Sequence, residues 1–138
     1  MSDFYIQEFD LKKLRKKFDE RVFAIPQIQR SYVWKKDGIC KLMDSIFNNF
    51  PIGIALIWET KTSKAFEIRP NAKTIIPQYN KNAATAEVII DGQQRLSTIY
   101  GVLKGIEPSK DVNSKINFNE LYFDCNKNAE SRFLFKRK

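Results

Sequence analysis

The sequence predicts an α+β fold in which one small mixed sheet packs against helices within a single domain, residues 1–138. Helical stripes of apolar side chains alternate along the chain with short runs of β-branched and aromatic residues. Eleven Phe, five Tyr and two Trp provide enough large apolar side chains for one core, which argues against a disordered chain.

Three segments have the apolar spacing of helices. Their stripes are Leu11, Leu14 and Phe18; Ile39, Leu42, Met43, Ile46, Phe47 and Phe50; and Leu96, Ile99, Tyr100 and Leu103. Asp10 is predicted to cap the first helix, and Asp37 to cap a second helix that extends to Phe50. Gly105 is predicted to stop the third helix.

Short apolar runs between these segments predict strands. The predicted strands are residues 21–25, 53–58, 66–68, 87–90, 121–124 and 133–135. The run from Gly53 to Trp58 is too continuously apolar for a half-exposed strand, so it predicts a central strand covered on both faces. Pro26 ends the first strand because proline cannot donate to a ladder. Residues 69–86 are predicted to be a hairpin or long loop with little core, and residues 108–117 a loop.

Composition and charge exclude several classes of function. The net charge of +8 favours polyanionic partners, nucleic acid first. Histidine is absent, which excludes Ser-His and Cys-His catalysis and histidine-based zinc sites within this chain. Cys40 and Cys125 have no metal-ligand spacing, so a reducing compartment is expected. The start of the chain is unlike a signal peptide, and the longest apolar run, 52–58, is too short to span a bilayer. We therefore expect a soluble, cytoplasmic protein without a membrane partner.

A polar cluster stands where a predicted strand becomes a helix, in Asp91-Gly92-Gln93-Gln94-Arg95. A helix start leaves N–H groups without partners, and its dipole favours negative charge. Arg95 offers a fork for phosphate, Gly92 lets an anion approach, and Gln93 can donate to phosphate oxygens. Alternatively, Asp91 and Gln94 form a capping box without any ligand. The two interpretations are compatible, since a capped helix still binds anions through its remaining N–H groups.

A second polar cluster favours a nucleotide as the ligand. Gln29 and Arg30 repeat the chemistry of the first cluster, and Tyr32 and Trp34 add rings for stacking. Trp34 is nevertheless expected to be a core residue, because tryptophan is usually largely buried. The predicted nucleotide-binding residues are Gly92, Gln93, Arg95, Gln29, Arg30 and Tyr32. The predicted catalytic residues are Asp91, Gln94 and Arg95, with Asp91 holding Mg²⁺ or positioning a water.

DNA binding without catalysis is the alternative that the sequence leaves open. Basic residues crowd the first helix and the start of the second. The candidate phosphate contacts are Lys12, Lys13, Arg15, Lys16, Lys17, Lys35 and Lys36. A solvated helix face explains an isolated run of charge equally simply. DNA cleavage by this domain is ranked last, because no dense carboxylate cluster for two metals is present.

The segments "IPQIQRSYVWKKDGICKLMDSIFNNFPIGIALIWE" and "IIDGQQRLSTIYGVL" resemble the N-terminal domain of GmrSD-type restriction proteins, a family defined by its DGQQR motif. The resemblance covers roughly residues 18–104. Residues 91–95 match the family signature, and Gln29 and Arg30 match its upstream motif. The resemblance assigns no role to residues from 121 onward. Residues 105–138 are expected to begin a C-terminal extension of a longer protein.

The resemblance implies a fold similar to ParB and sulfiredoxin, in which a strand–turn–helix motif ending in Arg binds nucleotide phosphates. It further implies a role in bacterial or archaeal defence, with Mg²⁺-dependent binding and hydrolysis of a nucleoside triphosphate coupled to sensing of DNA, modified DNA included. A separate C-terminal nuclease domain or partner chain would cut. Without histidine, this chain is not expected to contain that nuclease.

Overall fold

A computed structural model describes residues 4–67, 74–106, 116–126 and 128–136. The elements in chain order are α1 (Leu11–Asp19), β1 (Phe23–Ala24), α2 (Lys36–Phe47), β2 (Leu56–Lys61), α3 (Thr62–Glu67), β3 (Thr85–Asp91), α4 (Gln93–Lys104), a short 3-10 helix (Phe118–Glu120), β4 (Leu121–Phe123) and β5 (Phe133–Phe135). Helices and a small mixed sheet within one chain confirm the α+β prediction.

The central strand of the sheet is β3, and the strand order is β1-β3-β2. β1 pairs parallel with β3, aligning Phe23 with Glu87, while β2 pairs antiparallel, aligning Ile57 with Ile89. Ala86 and Val88 of β3 are almost wholly buried. Because β3 continues directly into Gly92 and α4, the polar cluster leaves the sheet at its centre.

The prediction of a central strand at 53–58 is wrong. That stretch enters β2, which lies at the edge of the sheet, and Leu56 and Trp58 are 45% and 42% exposed. The first half of the apolar run is not part of the strand, since Gly53 has φ of +96° and Ile54 is exposed. Continuous hydrophobicity therefore did not indicate burial on two faces here.

The main core lies between the sheet, α1, α2 and α4. Its buried members are Leu14, Phe18, Phe23, Ile25, Leu42, Ile76, Ile89, Leu96 and Ile99. Asp10 caps α1 as predicted, accepting from the N–H of Lys13 at 2.7 Å. Ion pairs of Lys17 with Glu87 and of Lys104 with Asp19 join α1 to β3 and α4. The Lys104 ammonium lowers the pKa of Asp19 by hydrogen bonding to its carboxylate.

A second core packs α2 against the C-terminal hairpin of β4 and β5. Its buried members are Tyr32, Ile39, Met43, Ile75, Ile116, Phe118 and Phe135. The late strands were predicted correctly, within a residue. The carboxylate of Asp44 fixes the hairpin to α2, since its Oδ1 accepts from the N–H groups of Arg132 at 2.8 Å and Phe133 at 3.3 Å. The Ser131 hydroxyl donates to its Oδ2.

Three further predictions need correction. Asp37 is not a cap: Lys35 takes that position and Asp37 lies in the first turn of α2, which ends at Phe47 rather than Phe50. Residue 66, predicted to begin a strand, lies in α3, where β2 continues directly into a helix. Residues 69–86 contain more core than expected, because Ile75, Ile76 and Tyr79 are buried.

Other predictions fall partly on residues that are not described. The predicted strand at residue 68 and most of the loop at 108–117 lie outside the described residues. Within the part that is described, no helix has the length and apolar character needed to cross a membrane.

We predict that Asp44→Ala lowers the free energy of unfolding by about 2 kcal/mol, because two N–H groups lose a charged acceptor. Urea denaturation followed by circular dichroism measures this loss. Asp37→Ala is the matched control on the same helix, because its carboxylate makes only an exposed pair with Lys41, which should contribute little to stability. Equal losses for the two variants would contradict the anchoring role of Asp44.

Candidate functional site

The helix α4 begins at a glycine that has a left-handed backbone. Gly92 is the N-cap with φ of +89°, a value that side chains disfavour, and no side chain caps the helix within the described residues. A Cβ at Gly92 would also lie 3.0 Å from the Cβ of Ala55. The capping box is therefore wrong: Asp91 ends the strand, and the amide of Gln94 bonds elsewhere. Gly92 therefore allows the left-handed backbone of the turn and the close approach of Ala55.

The loop that carries the second polar cluster packs directly on this turn. Gln29 donates from Nε2 to the Ile90 carbonyl at 2.7 Å. Gln94 accepts the Val33 N–H at 3.0 Å through Oε1 and donates through Nε2 to the Ser31 carbonyl at 3.1 Å. The structure thus brings the two clusters together, as their shared chemistry suggested. Because its carbonyl and amide groups are both engaged and it is buried, we leave Gln94 out of the catalytic set.

Tyr32 is a core residue in this fold. Its ring is only 2% exposed and lies 6.0 Å from that of Phe118. Its hydroxyl is 2.7 Å from Thr98 Oγ1, and burial raises its pKa to about 12. It therefore presents no stacking face, and we leave it out of the proposed site. Trp34, expected to be core, is half-buried and packs against both cores.

Arg95 joins the start of α4 to the turn that precedes β2. Its Nη1 donates to the Ile52 carbonyl at 2.7 Å and its Nη2 to the Ile54 carbonyl at 2.6 Å. Gly53 lies between these carbonyls, and a Cβ there would overlap Nη1. The guanidinium therefore needs a glycine beneath it. The sequence analysis did not predict this contact, although the Pro51-Ile52-Gly53 segment could have signalled it.

An open pocket of about 390 Å³ adjoins the guanidinium. Its lining residues are Trp34, Gly38, Lys41, Leu42, Ser45, Pro51, Ile52 and Arg95. Lys41 lies 2.8 Å from Asp37, whose carboxylate raises the pKa of Lys41 and keeps the ammonium charged. The pocket thus combines two cations, an indole and an apolar wall. Arg95 is the one predicted nucleotide-binding residue in this lining.

The remaining predicted site residues surround the turn. The side chain of Asp91 is 77% exposed, with Oδ2 3.9 Å from Nη2 of Arg95. Arg30 is exposed and has no partner among the described residues, whereas Gln93 is buried at 5% exposure. Among the described residues, no group of three or more acidic, histidine or cysteine side chains is placed to hold a metal. Asp91 is therefore a single carboxylate, which suits Mg²⁺ that takes its other oxygens from phosphates and water.

The predicted DNA contacts are partly engaged within the molecule. Arg15, Lys16, Lys17 and Lys36 pair with Asp19, Glu20, Glu87 and Glu120, respectively. Lys12, Lys13 and Lys35 are exposed and have no ion-pair partner within the described residues. The Arg15 and Lys16 pairs are exposed and therefore weak. The basic face of α1 is consequently more neutral than its sequence suggested.

Three segments by which the chain resembles restriction proteins meet around the start of α4: the Gln29-Arg30 loop, the Pro51-Ile52-Gly53 segment and the turn of residues 91–95. Residues 11–138 match the family model described as GmrSD restriction endonuclease, N-terminal domain. The chain belongs to this family, and membership supports a role in restriction-type defence. The match extends beyond 18–104 to include the hairpin. The likeness to ParB and sulfiredoxin stays a prediction.

One curated relative is the uncharacterized protein MJ0686 of Methanocaldococcus jannaschii. It is 30% identical over 132 residues, which cover 88% of this chain and 21% of that protein. The chain thus spans about a fifth of the length of the relative.

We predict that Gly53→Ala lowers the free energy of unfolding by about 1–3 kcal/mol, because the backbone is left-handed and the methyl group meets the guanidinium. In an Arg95→Ala background the same change should cost about 1 kcal/mol less, since the overlap is gone. A double-mutant cycle in urea measures the difference. Additive losses would mean that the guanidinium does not rest on Gly53.

We predict that Tyr32→Phe costs about 1 kcal/mol at neutral pH, through loss of the bond to Thr98. Folded Tyr32 keeps its proton to a pKa of about 12, whereas the unfolded phenol ionises near 10.0. Between these values the unfolded state binds fewer protons, so the parent loses stability as pH rises. The stability gap between parent and variant should narrow as the pH rises through about 10 and should reverse before about pH 12. A constant gap would contradict burial of a protonated phenol.

Proposed function

We propose that this domain binds a nucleoside triphosphate with Mg²⁺ and hydrolyses it, as the sensor that controls a nuclease carried elsewhere in the restriction system. One observation carries the proposal. The Arg95 guanidinium is fixed at the head of α4, beside Asp91, on the wall of an open pocket that also contains Lys41. Two cations and a helix start are suited to a polyphosphate.

The fixed guanidinium favours phosphate binding. Arginine has five N–H donors, and the carbonyls of Ile52 and Ile54 engage Nη1 and Nη2 while leaving further donors. A side chain that is already held in one rotamer loses little conformational entropy when an anion arrives. The first-turn N–H groups of α4 add positive potential. Lys41, which is paired with Asp37, lines the same pocket and contributes a second point charge.

Asp91 is the residue that we assign to the metal and to hydrolysis. It is exposed, so it can reach a ligand, and its Oδ2 lies 3.9 Å from Nη2 of Arg95. Bound Mg²⁺ would neutralise phosphate charge, which is the main demand of phosphoryl transfer. The Asp91 carboxylate would hold the ion or orient the attacking water. Gln93 remains a candidate donor, because its amide nitrogen has no partner within the described residues.

The observations favour a nucleotide over DNA as the ligand of this domain. A pocket with an indole and two cations provides a concave site of ligand size. Four of the seven candidate DNA contacts are paired with carboxylates, and Lys41 of the pocket is likewise paired with Asp37. The preference for a nucleotide therefore depends on the pocket beside Arg95 and Trp34. We propose DNA, modified or not, as the signal read by the complete restriction protein. The cutting activity would lie in a C-terminal nuclease domain or a partner chain.

We predict that Arg95→Lys weakens binding of Mg²⁺ nucleotides by about tenfold or more, since one point charge replaces a fork held by two carbonyls. Lys41→Gln should weaken binding several-fold, and Asp91→Asn should retain binding and lose hydrolysis. Calorimetric titration of ATP, GTP, CTP and UTP, with phosphate release measured in parallel, tests these expectations.

The control is Lys13→Gln, which removes the same charge from an exposed position on α1. It separates a specific contact from the effect of net charge. If Lys13→Gln weakens binding as much as Lys41→Gln, the pocket is not the site. If Arg95→Lys binds like the parent, the phosphate assignment is wrong.

A further inference from the structure

Gly38 stands inside α2 although packing does not require a glycine there. Glycine is the poorest helix former apart from proline. The positive-φ glycines are Gly53, Gly92 and Gly105, so Gly38 is not among them. A Cβ at Gly38 would meet only the Trp34 ring, 3.6 Å from Cε3 and 3.8 Å from Cδ2, which are ordinary contact distances. Alanine would fit, and neither backbone nor core explains the glycine.

The missing side chain leaves room for a methyl group against the Trp34 ring. The position that a Cβ would occupy lies at stacking distance from the indole, and both Gly38 and Trp34 line the pocket. The indole is held in place, since it is half-buried and packs against both cores. Leu42 and Pro51 add apolar wall to the same pocket. An indole that lines an open pocket is suited to contact with a flat aromatic ligand.

We propose that this pocket is the subsite for the nucleobase, which stacks on Trp34 in the layer that Gly38 leaves open. The assignment rests on the proposed function, because Arg95 and Lys41 line the same pocket and would hold the phosphates. A volume of about 390 Å³ accommodates a base and its sugar. Stacking on an aromatic face tolerates any base, so the subsite selects nucleotides over inorganic polyphosphates rather than one base over another.

The decisive readout is the affinity for nucleoside triphosphate relative to inorganic tripolyphosphate, each with Mg²⁺. The parent should prefer the nucleotide by about tenfold or more, the gain expected from one stacked base. Gly38→Ala should remove most of this preference, because its methyl group fills the stacking layer. The same variant should raise the thermal midpoint, since alanine favours the helix. If Gly38 had only a structural role, its replacement would not be expected to raise stability and reduce the nucleotide preference together.

Fluorescence provides a second measurement that does not depend on substitutions at the site. The chain has two tryptophans, and Trp58 lies on the edge strand β2, outside the pocket lining. In a Trp58→Phe background, Trp34 is the sole indole. Nucleotide should quench its emission, and tripolyphosphate at the same saturation should not. This variant also provides the test if Gly38→Ala folds poorly.

The outcomes separate the two proposals. Tripolyphosphate binding that depends on Arg95, together with no preference for nucleotide and no quenching of Trp34, would overturn the base subsite and leave phosphate binding in place. Failure of both ligands to bind would overturn the proposed function, and the subsite with it. A preference for nucleotide that survives Gly38→Ala unchanged would place the base elsewhere.

Discussion

The guanidinium of Arg95 joins two parts of the chain that are far apart in sequence, the head of α4 and the turn from Ile52 to Ile54. Both bonds end on main-chain carbonyls, so the contact specifies a backbone shape rather than a side chain. That shape requires Gly53, because a Cβ there would overlap the guanidinium. The edge strand β2 begins two residues beyond Ile54, and its course therefore follows from this contact.

The same interaction separates the residues of the polar cluster by role. Gly92 has a left-handed backbone and Gln94 fixes the loop of residues 31–33, so both are explained by the fold. Arg95 has a structural role and also lines the pocket. Asp91 lies at the surface with only a long contact to Arg95. Residues that packing does not explain are the best candidates for chemistry, which favours Asp91 and the free donors of Gln93 and Arg95.

Much of the fold follows from local sequence, and the failures have physical causes. The caps and periodicity of α1 and the β3–turn–α4 unit were predictable because local pattern and burial agree there. The position of β2 was not, because hydrophobicity cannot distinguish a central strand from an exposed turn followed by an edge strand. Likewise the burial of Tyr32 and the bond of Arg95 to Ile52 depend on pairings across 66 and 43 residues, which no local window contains.

The candidate site was predicted in its residue types but not in its geometry. Sequence placed the ligand between the Gln-Arg pair of the loop and the head of α4. In the structure Gln94 bonds to the loop of residues 31–33, and the open volume is lined by Arg95 and residues of α2. Trp34 connects the two sides, since it follows the loop that Gln94 holds and also lines the pocket. A ligand that contacts Trp34 and Arg95 would therefore act on both the loop and the turn before β2. If these segments have two arrangements that differ in ligand affinity, ligand binding shifts the equilibrium between the arrangements. A shift between the arrangements in turn changes the free energy of ligand binding by the same amount. Such coupling is what a domain needs if it reports its nucleotide state to a nuclease elsewhere.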